Sequence, residues 1–100
     1  MNDKISQEKL EQYFQITRQA LEKAGKALDK KRKKQAEDFL DMAQRYFDDA
    51  HYFAQGKKDY VLAFAALNYA HGWLDAGARI GLFKVKDNRL FTVDPQEASE

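Results

Sequence analysis

Only two side chains in the sequence have an ordinary pKa near neutrality, His51 and His71, and each has a carboxylate close by. His71 is followed by Asp75 one helical turn on, and His51 is preceded by Asp48, so metal ligation is the first chemistry to weigh. Two ligands do not hold zinc. Asp48 falls on the polar side of its helix and cannot reach His71, while His51 lies about seven residues, or ~10 Å of helix, from the level of His71. No metal site is expected. Nucleophilic catalysis needs a serine or cysteine beside a base, but the chain has no cysteine, and its only serines, Ser6 and Ser99, stand at opposite ends. No catalytic residue is assigned on these grounds.

Phosphate chemistry is the remaining enzymatic class. Arg45 and His51 reproduce the arginine-then-histidine spacing of small helical ribonucleases that resemble the HEPN domain, and Asp29-Lys30-Lys31-Arg32-Lys33-Lys34 is the one charge run. On a regular helix Arg45 and His51 project in different directions. The lysines of the 30–34 run have no interleaved aromatic residue to stack on bases, so the run reads as a solvated connection. Seventeen basic against sixteen acidic residues leave a net charge of +1, which gives no field for gathering nucleic acid or anionic lipid. The absence of cysteine removes zinc-cysteine sites, iron-sulfur clusters and disulfides, and fits a reducing cytoplasm. Met1–Ile5 holds no apolar run of the signal-peptide kind, and no stretch approaches ~18 apolar residues. A cytoplasmic protein without a cofactor or membrane partner is expected.

Three periodic segments must position whatever site exists. In the first, Leu10, Phe14, Thr17, Leu21, Ala24 and Leu28 share one helical face, opposite a wholly polar one, with Ser6 as N-cap and Ile5 packing on Leu10. In the second, from about Lys34 to Ala54, the buried stripe is Ala36, Leu40, Ala43, Phe47, Ala50 and Ala54, flanked by Phe39, Tyr46 and Phe53. Asp41 and Arg45 have the spacing of a surface ion pair. Gly56 is expected to end this helix and Asp59 to cap the third, which runs from Tyr60 to about Leu82. There Ala63, Ala66, Ala70, Gly77 and Gly81 share a face with Trp73 and Leu74, flanked by Leu62, Tyr69 and Ile80, so the glycines of this helix read as places where a neighbouring backbone comes close. Trp73 is expected between helices.

The third helix also carries a stripe that does not suit a simple amphipathic surface. Asn68, His71, Asp75 and Arg79 stack along one side, with Val61, Phe64 and Leu82 continuing the line at its ends. A polar centre with apolar ends is the candidate binding stripe, where a partner or a second copy docks. The alternative is that the C-terminal segment covers it. That segment, Phe83 to Val93, alternates apolar residues around Asp87-Asn88 and reads as a small hairpin; Asp94-Pro95 ends it, and disorder is expected beyond.

Tyr46-Phe47-Asp48-Asp49-Ala50, followed by Tyr69-Ala70-His71-Gly72-Trp73-Leu74-Asp75-Ala76-Gly77, resembles the signature of a small, mainly archaeal family, the domain of unknown function 357. The likeness covers about Leu10 to Leu82. It implies a compact bundle of three helices and no activity. The expectation is therefore an all-α, up-and-down three-helix bundle over residues 1–82 with an extension over 83–100. The lack of a second copy and of a 34-residue period argues against tetratricopeptide repeats, and the apolar third helix argues against a DNA-reading helix-turn-helix. The expected function is a non-enzymatic protein interaction or self-association module working through the third helix. The alternative is a HEPN-like helical ribonuclease or RNA-binding module.

Overall fold

The structure is a computed structural model that describes residues 6–91. Ile5, the 92–93 end of the expected hairpin, the expected disorder after Pro95 and Ser99 lie outside the described residues. Three helices fold up and down: α1 (Gln7–Gly25), α2 (Lys33–His51) and α3 (Tyr60–Arg79). Ser6 caps α1 by accepting from the Lys9 N–H at 3.1 Å, and Leu10, Phe14, Thr17, Ala20, Leu21 and Ala24 are buried along one stripe. α2 and α3 form the most extensive pair, and α1 lies mainly on α3.

The basic run is built into the first connection. Asp29 accepts from the Lys31 N–H at 3.2 Å and opens a 3-10 turn, Lys30–Arg32, that leads into α2. Arg32 donates to Asp29 Oδ2 at 2.8 Å and to the Ile80 carbonyl at 3.0 Å, so one cation of the run ties α2 to the end of α3. The Arg32 guanidinium, helped by the Lys31 N–H, holds the Asp29 carboxyl below its ordinary value.

Past His51 the chain widens through Tyr52–Gly56, where the Lys57 N–H reaches back to the Tyr52 carbonyl at 3.3 Å. The helical stretch ends at Gly56, as the sequence suggests, and Lys58, whose φ is 52°, carries the reversal. Asp59 caps α3 by accepting from the Leu62 N–H at 3.0 Å. α3 stops at Arg79, three residues earlier than its apolar pattern predicts. Gly81, at φ 80°, supplies the left-handed residue of the stop: its N–H bonds the Ala78 carbonyl at 3.2 Å and the Leu82 N–H bonds the Gly77 carbonyl at 2.8 Å. Gly81 is therefore a terminator, not part of a packing face.

The expected hairpin does not form in its described part. Phe83 instead makes a single antiparallel bridge with Leu28, the Asp29 N–H donates to the Leu82 carbonyl at 2.8 Å, and the Lys84 N–H donates to the Ala27 carbonyl at 2.7 Å. The alternation in sequence is real, with Phe83 and Val85 buried and Lys84 and Lys86 exposed, but its partner is the α1–α2 connection. A turn follows at Asp87, whose carbonyl accepts from the Phe91 N–H at 3.0 Å and whose carboxylate bonds Lys23 at 2.6 Å and the Arg89 N–H at 2.9 Å. Those contacts, the Lys23 ammonium foremost, hold the Asp87 carboxyl far below its ordinary value. Leu82, Phe83, Val85, Leu90 and Phe91 are all in the core. The tail thus closes the end of the bundle.

Candidate functional site

At 100° per residue, α3 presents two apolar faces. The inner one, Ala63, Ala66, Leu67, Ala70, Leu74 and Gly77, is buried against α1, α2 and the tail. Gly77 is required there: a Cβ at this position would stand 2.3 Å from Phe83 Cε2. The outer face carries Leu62, Ala65, Tyr69, Gly72, Ala76 and Ile80. Leu62, Tyr69 and Ile80 are exposed by 46%, 63% and 52%, although each was expected to flank the core. Among the described residues nothing lies within 4 Å of a Cβ built on Gly72, so the packing role expected of it is corrected. Aromatic pairs border this face on the α2 side, with Tyr46 stacked on Tyr69 at 5.3 Å and Phe39 edge-on to Trp73 at 5.0 Å. Trp73 is half-buried in that border rather than enclosed between helices.

Asn68, His71, Asp75 and Arg79 form the border on the α1 side. Asn68 and Arg79 are exposed, and His71 and Asp75 are half-buried. His71 Nε2 stands 3.8 Å from Asp75 Oδ1, too long for a hydrogen bond and an ion pair only when the imidazole is protonated. Asn68, His71 and Asp75 line a groove of about 390 Å³ with Tyr13 and Thr17 of α1 and Arg89 of the tail. The apolar ends of the stripe are mostly covered. Phe64 is edge-on to Tyr13 at 4.7 Å and Leu82 is 2% exposed, which leaves only Val61 open at 55%.

The residues that suggest phosphate chemistry do not converge. Arg45 is exposed and paired with Asp41 at 2.9 Å. His51 turns instead toward α1, with its ring 4.4 Å from Phe14 and 4.9 Å from Phe47, while the 30–34 run sits at the far end of α2. Burial, then the nearby Arg18 charge, lowers the His51 pKa from its ordinary value, against an opposing pull from Asp48. Arg18 lies over the Phe47 ring at 5.6 Å and shares with His51 a cleft of about 650 Å³ whose walls also carry Glu8 and Glu11. Sequence reasoning missed the Arg18–His51 pairing because it crosses between helices. Among the described residues no group of three histidine or carboxylate side chains is placed to hold a metal ion. Among the same residues no helix is long and apolar enough to cross a membrane.

A profile of proteins of unknown function, DUF357, matches residues 12–83. The chain belongs to the DUF357 family. The two DUF357-like segments meet across α2 and α3: Tyr46 of the first stacks on Tyr69 of the second, Phe47, Ala50, Ala70 and Leu74 are buried, and Gly77 receives the Phe83 ring. No curated protein and no solved structure matches the chain.

Proposed function

We propose that this protein is a non-catalytic interaction module that binds a helical protein surface through the outer face of α3. One observation carries the reading: Leu62, Tyr69 and Ile80 are exposed on the same face as Gly72 and Ala76, so that α3 is apolar on two faces and covered on one. Asn68, His71, Asp75 and Arg79 supply the polar rim that a helix-docking surface needs along one edge. This supports docking over the RNA-cleavage alternative, for which Arg45, His51 and the 30–34 run would have to act together.

The test is site-specific photo-crosslinking in cells, with the crosslinker at Gly72 and, as a control, at Asp49 on the exposed side of α2. A discrete adduct from Gly72 alone, lost on Tyr69→Lys, is expected. Equal labelling from both positions, or no adduct from Gly72, would overturn the reading.

A further inference from the structure

We infer that the end of the bundle opposite the α2–α3 turn binds the phosphate backbone of double-stranded nucleic acid. This surface is separate from the outer face of α3, and the inference stands whether or not that face docks a protein. The net charge of +1 conceals how unevenly the charges lie. Residues 22–34 and 79–91 hold eleven of the seventeen Lys and Arg against three carboxylates, Glu22, Asp29 and Asp87, a local charge of +8. The rest of the described chain holds five cations against nine carboxylates, so the molecule is basic at one end and acidic over the remainder. Asp94, Glu97 and Glu100, beyond the described residues, are too few to neutralise the basic end.

The fold gathers these charges from two segments. The bridge between Leu28 and Phe83 sets the tail beside the α1–α2 connection, and Lys23, Lys26, Lys84 and Lys86 then line one open hollow of about 510 Å³. The Arg32 guanidinium and the Lys84 ammonium stand 3.1 and 3.6 Å from the place of a Gly81 Cβ, so cations of the connection and of the tail are neighbours. Asp29 is taken up by Arg32, and Asp87 by Lys23 and Arg89. Among the described residues no ion pair holds Lys26, Lys30, Lys31, Lys33, Lys34 or Lys86. Lys23 and Lys26 stand at the C-terminal end of α1 and Arg79 at that of α3, where the helix dipole suits a cation. Lys30, Lys31, Lys33 and Lys34 crowd the N-terminal end of α2, where it does not, and the first turn of α2 has no acidic residue. Self-repulsion of this kind weakens a compact fold, and a polyanion relieves it.

The other side chains of this end select the polyanion. Its two aromatic residues, Phe83 and Phe91, are buried, so no platform is offered to the unpaired bases of a single strand. Leu82, Val85 and Leu90 are buried too, and a single exposed Ile80 is too little apolar surface to enter a lipid headgroup layer. What remains is a set of exposed cations, which neutralise the phosphates of a duplex without reading its bases.

Fluorescence anisotropy of a labelled DNA duplex of about 20 base pairs, titrated with the full chain, reads this directly. Binding is expected at about 50 mM salt and should weaken at least about tenfold by about 200 mM, as counterion release requires. Lys30→Gln with Lys31→Gln, and separately Lys84→Gln with Lys86→Gln, should each weaken binding several-fold and flatten its salt dependence. Lys57→Gln with Lys58→Gln, the same charge change on exposed residues at the opposite end, should alter neither. Circular dichroism of each variant checks that the bundle is intact. Two duplexes of unrelated sequence should bind alike, and Gly72→Leu should leave binding unchanged, which keeps this test apart from that of the docking reading. No binding at about 50 mM salt with the chain at about 100 μM overturns the inference. Equal weakening by the Lys57 and Lys58 pair overturns it as well, since total charge would then explain the binding. Tighter binding to the single strand, or to vesicles of phosphatidylcholine with phosphatidylserine, overturns the choice of occupant.

Discussion

Gly72 and Gly77 stand five residues apart on α3 and have opposite surroundings. At Gly77 the absent side chain is occupied by Phe83, which the tail brings back onto the helix. At Gly72 the absent side chain leaves a space that none of the described residues fills. In an exposed helix interior glycine costs about 1 kcal/mol relative to alanine. For Gly77 that cost is offset by burying an aromatic ring. For Gly72 the described residues offer no such return, which is why the outer face reads as a surface meant to be covered.

The sharpest way to break the contrast is on the inner side. Phe83→Ala removes a side chain that is 1% exposed and should cost about 3 to 5 kcal/mol, measured by urea unfolding. Gly77→Ala drives a methyl into the same ring and should cost about 1 to 3 kcal/mol, against which the better helix propensity of alanine recovers only part. Gly72→Ala should do the reverse. With nothing among the described residues to meet the methyl, it should stabilise the dilute protein by roughly 0.5 to 1 kcal/mol. Unequal signs at the two positions are the expected outcome, and equal signs would dissolve the comparison.

A smaller effect concerns His51, whose folded-state pKa lies below its ordinary value of 6.5. The unfolded chain then takes up the proton first, so the contribution of this residue is constant above about pH 6.5 and declines as pH falls through that value toward the folded pKa. Stability followed from pH 8 to 5 should bend downward there, and His51→Gln should remove that part of the slope.

Much of the bundle was legible in the sequence because α1 and α2 are strongly amphipathic. Their buried positions, Leu10 through Ala24 and Ala36 through Ala50, follow one stripe each with a charged opposite side. α3 was harder to read for a physical reason. With two apolar faces on one helix, periodicity cannot say which of them neighbours cover, and so Leu62, Tyr69 and Ile80 read as flanking the core although they face outward. Asn68, His71, Asp75 and Arg79 share one side of α3 as their spacing requires, but the spacing leaves open whether the apolar ends of that line are covered, and the cover of Phe64 is Tyr13 of α1, which no local pattern names. The tail itself shows why alternation alone misleads: Phe83 and Val85 announce an extended segment, but the pattern does not name the strand or loop that pairs with it.

The central claim is that the outer face of α3 is complete only when covered. Photo-crosslinking in cells from Ala76, with and without Gly72→Leu, tests it most directly when read beside the thermal midpoint of each chain in dilute solution. The account predicts that Gly72→Leu abolishes the adduct and leaves the midpoint at least as high as that of the natural chain. A variant destabilised in dilute solution, or an adduct that survives Gly72→Leu, would contradict it.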